Sequence, residues 1–436
     1  MGNVIILGAG LAGLSAAYHL ESQGFSEYEV FEREPVVGGL CSSMVIEGFT
    51  FDHAIHILYS GNKYAEDLIK NRLLKNNFHS LYRRSYVYYK GKYTEYPFQV
   101  HLYGQGIDVI KECVLGLIKA RYENKSTPSN FEEWIHSIFG YGIARHFMLP
   151  YNRKQWAANL QEMSYDWIAE RVPVPEIEEV LDGALRPPQK AFGPNSYFWY
   201  PLKGGMNSLP NAFLDYIGNV SLNSEVSKIS LKNKEIEVKG RKVKYDKIIS
   251  TIPLPKIISL IAEDKPAHIE EAAERLRCNS VYTVNLAIDR PDIADFHWVY
   301  FPEPEYIFQR ISFPMNLSPF MAPAAKSSIS AEISVSKSKP LKIKETELVD
   351  AVVDDLTKCE VISKQDKIIF GDVKRLYPAY VIYTIGGRHT RDSIHQFLHS
   401  KDIYPCGRFG EWEYLNMDHA ILSGKKAADE VLSKQT

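Results

Sequence analysis

Cysteine is scarce in this chain of 436 residues, and the few cysteines that occur are scattered. They are odd in number, and none lies in a C-x-x-C pair or at the spacing of a metal site: Cys41, Cys113, Cys278, Cys359 and Cys406. This pattern excludes a disulfide-stabilised scaffold and a zinc motif. It predicts reduced thiols in a cytoplasmic protein without a metal site.

The chain also lacks an excess of charge, a long apolar run and a targeting segment. It has 51 Lys and Arg against 53 Asp and Glu. A balanced charge gives no argument for nucleic acid or a strongly anionic membrane as a partner. The apolar N-terminus is interrupted by glycines and has no basic segment before it, and no other apolar run is long enough to span a bilayer. We therefore expect a soluble protein that neither binds nucleic acid nor inserts into a membrane.

The start of the chain does contain a glycine pattern in an informative setting. The apolar stretch 3–7 precedes Gly8, Gly10 and Gly13, and the helix-forming stretch 14–20 follows them. In dinucleotide-binding folds the first glycine permits a tight turn, the second lets a pyrophosphate approach, and the third lets helix and strand pack closely. The helix N-terminus offers unpaired N–H groups and the positive end of its dipole. This segment therefore predicts a pyrophosphate site.

A second predicted strand, 28–31, ends on Glu32, about 20 residues after the turn, where a ribose-binding carboxylate belongs. A carboxylate there would repel a 2′-phosphate, which argues against NADP. The following residues, with Gly38-Gly39-Leu40, resemble the opening of the glutathione-reductase-type FAD fold; the alternative is that the two glycines only close a loop. We therefore predict FAD rather than NAD, contacted by Gly8, Gly10, Leu11, Ala12, Gly13, Glu32, Arg33, Gly39 and Leu40.

Hydrophobic patterns along the chain predict an α/β protein with a discontinuous Rossmann-type FAD-binding domain, an inserted helical domain and a mixed or antiparallel sheet domain. The FAD-binding domain is predicted at 1–75, 205–262 and 370–436, the helical domain at 100–190, and the sheet domain at 76–99, 191–204 and 263–369. Helices are predicted at 107–122, 130–139, 143–147, 167–171 and 418–432, and strands at 281–287, 298–301, 327–334 and 402–404.

Five further motifs occur in an order that matches one known family. The longest is Phe147-Met-Leu-Pro-Tyr-Asn152-Arg-Lys-Gln-Trp156, continued by Trp167-Ile-Ala-Glu-Arg171-Val172. The others are Tyr96-Pro-Phe-Gln99, Gly193-Pro-Asn195, Tyr300-Phe-Pro-Glu303 leading to Arg310, and Gly407-Arg408-Phe-Gly-Glu-Trp412-Glu-Tyr414. Together with the FAD motif they resemble UDP-galactopyranose mutase, the flavoenzyme family that interconverts the pyranose and furanose forms of UDP-galactose. The resemblance extends over nearly the whole chain.

The resemblance implies a site for a diphosphate. Arg171 and Arg310 match two arginines that bind it, and the planar guanidinium suits a bidentate contact with phosphate. The alternative is that each arginine pairs with a surface carboxylate. Tyr300, Tyr380 and Tyr414 match tyrosines on the phosphate side of the family's site.

The resemblance also implies a nucleotide and sugar site, contacted by Tyr96, Phe98, Gln99, Asn152, Trp156 and Asn195. Asn152 and Trp156 lie four residues apart and share a helix face. The alternative for Trp156 is an ordinary core tryptophan, and the alternative for Asn195 is a residue of an Asx-turn.

At the flavin end, Arg408 and the segment 415–418 precede the predicted final helix. A helix N-terminus and an arginine would stabilise the negative charge of a reduced flavin. The resemblance adds to the cofactor contacts His56, Val226, Gly407, Arg408, Asn416, Met417 and Asp418. It implies as catalytic residues His56, Arg171, Arg310 and Arg408.

The loop before His56 departs from the family pattern. Family members usually place glycines there, whereas this chain has Ala54 and Ile55. A β-branched residue does not easily adopt the positive φ open to glycine. We therefore expect a different loop response to flavin reduction and a reshaped sugar pocket.

The resemblance implies a non-redox isomerisation of a nucleotide sugar in which N5 of reduced FAD is the nucleophile. It implies a UDP-sugar substrate, an external electron donor such as NAD(P)H or a reductase, and a place in cell-surface polysaccharide biosynthesis. One alternative is a FAD-dependent oxidoreductase of the amine oxidase and protoporphyrinogen oxidase type, and another is a non-catalytic flavin-binding protein. The sequence leaves open the sugar, the reductant and whether the chain forms a homo-oligomer.

Overall fold

The protein is described from a computed structural model that covers residues 3–123, 127–168, 172, 174–188, 192–193 and 195–433. Its strands are β1 (Val4–Leu7), β2 (Tyr28–Phe31), β3 (Ser43–Ile46), β4 (Phe49–Asp52), β5 (Phe78–Tyr82), β6 (Ser85–Tyr89), β7 (Lys92–Glu95), β8 (Tyr197–Pro201), β9 (Val220–Ser221), β10 (Val226–Ser230), β11 (Glu235–Val238), β12 (Arg241–Lys244), β13 (Lys247–Ser250), β14 (Arg277–Cys278), β15 (Ser280–Ile288), β16 (Trp298–Tyr300), β17 (Arg310–Ser312), β18 (Ser327–Val335), β19 (Ile368–Leu376), β20 (Val381–Ile382) and β21 (Ile403–Pro405).

The α-helices are α1 (Leu11–Ser22), α2 (Lys63–Asp67), α3 (Ile107–Glu123), α4 (Phe131–Ile143), α5 (Leu149–Trp156), α6 (Ile177–Leu185), α7 (Ser208–Phe213), α8 (Leu254–Leu260), α9 (Ala267–Arg275), α10 (Pro314–Leu317), α11 (Leu348–Lys358), α12 (Gly387–His399), α13 (Gly407–Gly410) and α14 (Met417–Ser433). π-Helical turns lie at Leu68–Leu74 and Ala144–Met148, and 3₁₀ turns at Gly39–Cys41, Leu160–Glu162 and Glu345–Glu347. In the part of the chain that the structure describes, no helix has both the length and the apolar character needed to cross a membrane.

A parallel five-stranded sheet with the strand order β21-β13-β1-β2-β9 carries the N-terminal motif. Its central strand β1 is fully buried, which explains its continuous apolar sequence. Helix α1 follows directly and packs against α14 from the other end of the chain. A Cβ on Gly424 would lie 2.1 Å from the Ala12 carbonyl oxygen, so the two helices cross in close contact.

A seven-stranded sheet with the order β19-β15-β18-β17-β16-β6-β7 forms the second layer. Its pairs are antiparallel except for the parallel pair β16 and β6. One face packs against α11, which contacts β15 and β19, around an apolar core that also includes side chains of β18. Because side chains alternate along a strand, the opposite face carries a different row, in which Tyr300, Arg310, Glu332 and Thr283 lie side by side on adjacent strands.

Helices α3 to α6 form a separate layer around an aromatic-rich core, which includes Phe131, Phe139, Trp156 and Trp167. Tyrosines from other regions pack against this core, among them Tyr300 and Tyr380. The helical layer therefore contacts the same end of the seven-stranded sheet that carries Arg310.

This architecture confirms the predicted fold class. The predicted strands 281–287, 298–301 and 327–334 correspond to β15, β16 and β18, and the final helix corresponds to α14. The predicted helix at 143–147 is a π-helical turn that leads into α5.

Two predictions differ from the structure. Trp167 lies in a turn and Ile168 in no regular element, so neither is helical. The Trp167 indole N–H donates to the Ser164 carbonyl. The rest of the predicted helix, 169–171, lies outside the described residues. The boundary predicted at residue 370 falls inside β19, which pairs with β15 along its length. β19 is a half-exposed edge strand, so its sequence shows no clear alternation.

Candidate active site

A cleft of about 1340 Å³ lies where the carboxyl ends of β1 and β2 face the seven-stranded sheet. Many of the residues predicted to bind the cofactor line it: Gly8, Gly10, Leu11, Ala12, Glu32, Arg33, Gly39, Leu40, His56, Val226, Gly407, Arg408, Asn416 and Met417. Carboxyl ends of parallel strands are where open α/β sheets bind their ligands. The structure thus brings residues from widely separated parts of the chain to one surface.

The three glycines of the N-terminal motif have three different environments. Gly8 has φ +98°, and a Cβ on Gly13 would lie 2.0 Å from the Gly8 carbonyl oxygen, so strand and helix pack too closely for a side chain. A Cβ on Gly10 would meet no atom of the protein within 4 Å. The space beside Gly10, at the N-terminus of α1, therefore fits a pyrophosphate, whereas Gly13 does not line the cleft.

Glu32 is buried, and its two carboxylate oxygens are fixed by the backbone. One oxygen accepts from the Ala9 N–H at 2.7 Å and the other from the Glu34 N–H at 2.9 Å. Arg33 beside it is exposed and pairs with Glu34. A carboxylate held at this cleft edge fits a ribose hydroxyl of the cofactor.

At the other end of the cleft, Arg408 fixes the turn before α14. Its guanidinium donates twice to the Leu415 carbonyl, at 3.1 and 2.7 Å, and lies 4.8 Å from the ring centre of Tyr414. Asn416 donates to the Tyr59 hydroxyl at 2.9 Å, and both line the cleft. A cation beside a helix N-terminus fits the electron-rich edge of a reduced flavin.

Asp418 does not line the cleft. It is buried below the start of α14, where it accepts from the Ser60 hydroxyl at 2.7 Å and from the His419 N–H at 2.8 Å. Its contacts stabilise the first turn of the helix.

The loop before His56 lies in the cleft wall. The His56 Nδ1 donates to the Ala54 carbonyl at 2.8 Å, which leaves Nε2 as an acceptor. Burial and the nearby Arg408 lower the pKa of His56 to about 4, so the ring is neutral at pH 7. Neither Ala54 nor Ile55 has a positive φ, so the loop follows a path that these side chains allow.

Arg310 on β17 faces a carboxylate that the sequence did not indicate. Glu332, directly opposite on β18, accepts its Nε–H at 3.1 Å and its Nη2–H groups at 2.8 and 2.7 Å. Glu332 is 1% exposed, and both residues line the cleft. Burial opposes the charge on Arg310, but Glu332 and the nearby Tyr380, Tyr151 and Tyr300 together outweigh this effect and raise the pKa of the guanidinium well above its ordinary value. The partner is thus a buried carboxylate rather than a surface one.

An aromatic wall closes the cleft on the side of the helical layer. Tyr380 and Tyr414 stack with ring centres 5.7 Å apart, and both line the cleft together with Tyr300. Burial raises the pKa of Tyr380 to about 12, so its hydroxyl stays protonated at pH 7. Tyr96 lies behind this wall with its ring centre 4.7 Å from that of Tyr300, and Trp156 lies 5.9 Å from Tyr380.

The residues matched to the nucleotide site lie deeper than the cleft surface. The Trp156 indole donates to the Asn152 side chain at 3.1 Å, so these residues share a helix face. Trp156 is part of the core of the helical layer, and Phe98 and Gln99 are buried too. None of these four lines the cleft, and neither does Tyr96. Asn195 does line it and accepts from Arg83, whereas Arg171 lies outside the described residues.

The chain is similar over its full length to a solved structure of reduced UDP-galactopyranose mutase. The TM-score is 0.94 at 28% identity, and the match covers 100% of this chain and 94% of that one. A fatty acid isomerase from P. acnes (TM-score 0.67, 15% identity, 98% of each chain) and a putrescine oxidase variant (TM-score 0.71, 15% identity, 99% of each chain) share the fold. The first match confirms the resemblance found in the motifs.

Curated relatives match only short stretches. The 4,4'-diapolycopene oxygenase of Methylomonas sp. is 49% identical over 55 residues, 13% of this chain and 11% of the relative. The zeta-carotene-forming phytoene desaturase of Myxococcus xanthus is 43% identical over 49 residues, 11% of this chain and 9% of the relative. The chain thus spans about a tenth of the length of these relatives.

The glycine-lined cradle beside a fixed carboxylate fits FAD, and the comparisons agree on the cofactor. The model of the flavin-containing amine oxidoreductases matches residues 11–432, almost the whole chain. The protein therefore binds FAD and belongs to the family of flavin-containing amine oxidoreductases.

Proposed function

We propose that the protein is a flavin-dependent mutase that interconverts the pyranose and furanose forms of a nucleotide sugar, UDP-galactose or a close relative, without net redox change. One observation carries the proposal: the cleft whose glycines and Glu32 fit FAD is also lined by Arg310, oriented by Glu332, and by Tyr300, Tyr380 and Tyr414. Such donors suit a diphosphate. The similarity to the reduced mutase over the full chain supports the same function.

In this proposal the bound FAD, once reduced, supplies the nucleophile for the anomeric carbon. The protein holds the leaving nucleoside diphosphate. Glu332 accepts the Nε–H and Nη2–H groups of Arg310, so Arg310 binds the diphosphate through its two Nη1–H groups. The tyrosine hydroxyls add neutral donors, and Arg171, by its match to the family motif, supplies a second cation.

Arg408 and the N-terminus of α14 are proposed to stabilise the negative charge of the reduced cofactor. His56, neutral at pH 7, offers an acceptor in the cleft wall without adding charge. An external donor, NAD(P)H or a reductase, would keep the cofactor reduced.

The nucleotide is proposed to lie against the aromatic wall, near Tyr96, Asn152 and Trp156 and the buried pair Phe98 and Gln99. The sugar would then lie between Asn195 and the His56 loop. Ala54 and Ile55 line that part of the cleft, so their side chains shape the sugar pocket.

A second candidate function is a FAD-dependent oxidoreductase. The family match and the curated relatives, an oxygenase and a desaturase, favour it. An oxidase of amines or hydrocarbons has no need of an arginine and three tyrosines beside the cofactor. This part of the cleft therefore favours the mutase.

The test is to incubate dithionite-reduced protein anaerobically with a panel of UDP-, GDP- and dTDP-sugars and to separate the products by chromatography. We expect one UDP-hexose to give a furanose isomer, with the same equilibrium mixture reached from either side. Absence of any isomer, together with oxygen-consuming oxidation of an amine or carbon donor, would establish the second candidate instead.

A further inference from the structure

Lys154 on α5 is a buried lysine whose hydrogen-bond partners are main-chain carbonyls. Its Nζ donates to the carbonyl oxygens of Phe301 at 2.9 Å, Glu303 at 2.9 Å and Tyr306 at 2.8 Å. These bonds use all three donors of an ammonium group. All three acceptors belong to the connection between β16 and β17.

This connection begins and ends at residues of the proposed diphosphate site. β16 ends at Tyr300, β17 begins at Arg310, and the two residues pair directly in the sheet. Phe301 and Phe308 within the connection are fully buried. The path of this connection therefore determines the positions of Tyr300 and Arg310 at the ends of β16 and β17.

The opposite face of α5 carries the residues matched to the nucleotide site. Asn152 and Trp156 lie two residues before and after Lys154, which places them roughly 200° away around the helix. They bond to each other, and Trp156 packs against Tyr380 of the aromatic wall. The helix thus contacts the aromatic wall on one face and the β16–β17 connection on the other.

Keeping a lysine here is costly. Burial lowers the pKa of Lys154 to about 7, with Lys339 adding to the effect and Asp355, Glu303 and Glu305 opposing it. An apolar side chain would avoid the desolvation of an ammonium group, but it would leave three carbonyls without their donor. A lysine at this position is explained if the connection must be held to the helix in one position.

We propose that Lys154 is a positioning residue that couples the nucleotide side of the active site, on α5, to the diphosphate side, at the ends of β16 and β17. The inference rests on the proposed function, because it concerns how a nucleoside diphosphate is held. The coupling acts on nucleotide binding. The contacts to the nucleoside diphosphate are made in the ground state and in the transition state alike, so their weakening should raise KM while kcat changes little.

The test compares Lys154→Met and Lys154→Gln with wild type and with Arg153→Met. Arg153 lies next in the chain, is exposed and pairs with Glu132 at the surface, so it is a matched control. The readouts are FAD content, thermal unfolding, the Kd of UDP and the KM and kcat of the reduced protein.

We expect Lys154→Met to raise both the Kd of UDP and the KM about tenfold, which corresponds to about 1.4 kcal/mol. The FAD content should be unchanged and kcat should stay within about threefold of wild type. Lys154→Gln keeps two N–H donors, so its Kd and KM should lie between those of wild type and Lys154→Met. It also provides the test if Lys154→Met does not fold. Arg153→Met should behave as wild type.

Wild-type Kd and KM in folded Lys154 variants, with only a lower unfolding temperature, would overturn the inference and leave the proposed function intact. A loss of kcat at unchanged KM would overturn it too. Failure of the wild-type protein to bind UDP would instead overturn the proposed function, and the inference with it.

Discussion

Arg310 illustrates at the scale of single residues how the cleft prepares a donor for an anion. The buried Glu332 holds its guanidinium with three hydrogen bonds, so little side-chain freedom remains to be lost when a ligand binds. The carboxylate also compensates the positive charge before any ligand arrives. A diphosphate would then be bound through geometry as much as through net charge, which suits a group that must depart and return.

Replacing Arg310 by alanine should weaken UDP and UDP-sugar binding together by at least roughly 1.5–3 kcal/mol, because a charge-assisted contact is lost and the buried Glu332 carboxylate is left without its partner beside the diphosphate. Lysine at this position should recover only part of the affinity, since a point charge cannot replace a planar fork. Isothermal titration measures both, with the exposed Arg241→Ala as control. Arg171→Ala should show the same loss. If both alanine variants bind UDP like wild type, the diphosphate site lies elsewhere.

Glu332→Gln should lower the free energy of unfolding by about 3–5 kcal/mol, because it leaves Arg310 as a buried charge without its partner. Chemical denaturation of the FAD-loaded protein measures this change. The exposed Glu27→Gln should change stability by less than about 0.5 kcal/mol. Equal stability of the two variants would show that the ion pair does not hold Arg310.

The sequence could not indicate Glu332, for a physical reason. Its partner lies 22 positions away on another strand, and the bond depends on the strand register rather than on a local motif. For Trp156 the motif is visible in the sequence, but the burial is not. Its position behind the tyrosines depends on the packing of the helical layer.

At the scale of elements, β1, α1 and β2 were predictable because their signal is local. Glycine spacing, an apolar run and a following acid are all read within 32 positions of the chain. The edge strand β19 was not predictable, because each of its faces is only partly covered and buried and exposed residues do not alternate clearly along it. Because this motif is local, a single substitution within it tests the cofactor site directly.

Gly10→Ala should weaken FAD binding while the apoprotein keeps its stability to within about 1 kcal/mol. The added methyl group meets no protein atom but occupies the space beside the helix N-terminus where the pyrophosphate fits. Gly61→Ala is the matched control, since its Cβ also meets nothing within 4 Å and Gly61 does not line the cleft. FAD content after purification and the Kd of FAD measure the effect. Equal FAD affinity in the two variants would argue against this cradle.

At the scale of the whole molecule, four histidines that are half-buried or buried, and neutral at pH 7, make stability depend on pH. Burial lowers the pKa of His56, His101 and His395 to about 4 and that of His297 to about 3. The ordinary value is 6.5, so between these values the unfolded chain binds more protons than the folded protein. These histidines therefore do not reduce the free energy of unfolding above about pH 6.5, and they lower it as the pH decreases towards 4.

We expect the free energy of unfolding to decrease below pH 6.5 by up to about 1.4 kcal/mol per pH unit for each of these histidines. Urea unfolding at a series of pH values measures the slope. His297→Gln should reduce this slope by up to about 1.4 kcal/mol per pH unit, the contribution of one proton, because a glutamine side chain does not titrate. A slope that is flat from pH 7 to 5 would contradict the assignment of these rings as neutral in the folded protein.

The most direct test of a mutase, as opposed to an oxidoreductase on the same fold, is the number of products formed per electron pair. The protein is reduced anaerobically with one equivalent of dithionite per flavin and then mixed with excess UDP-galactopyranose, while the flavin absorbance and the furanose product are followed together. We predict many product molecules per flavin, with the cofactor still reduced at the end and no product from the oxidised protein. One product or fewer per electron pair, with the flavin absorbance changing in step, would contradict the account.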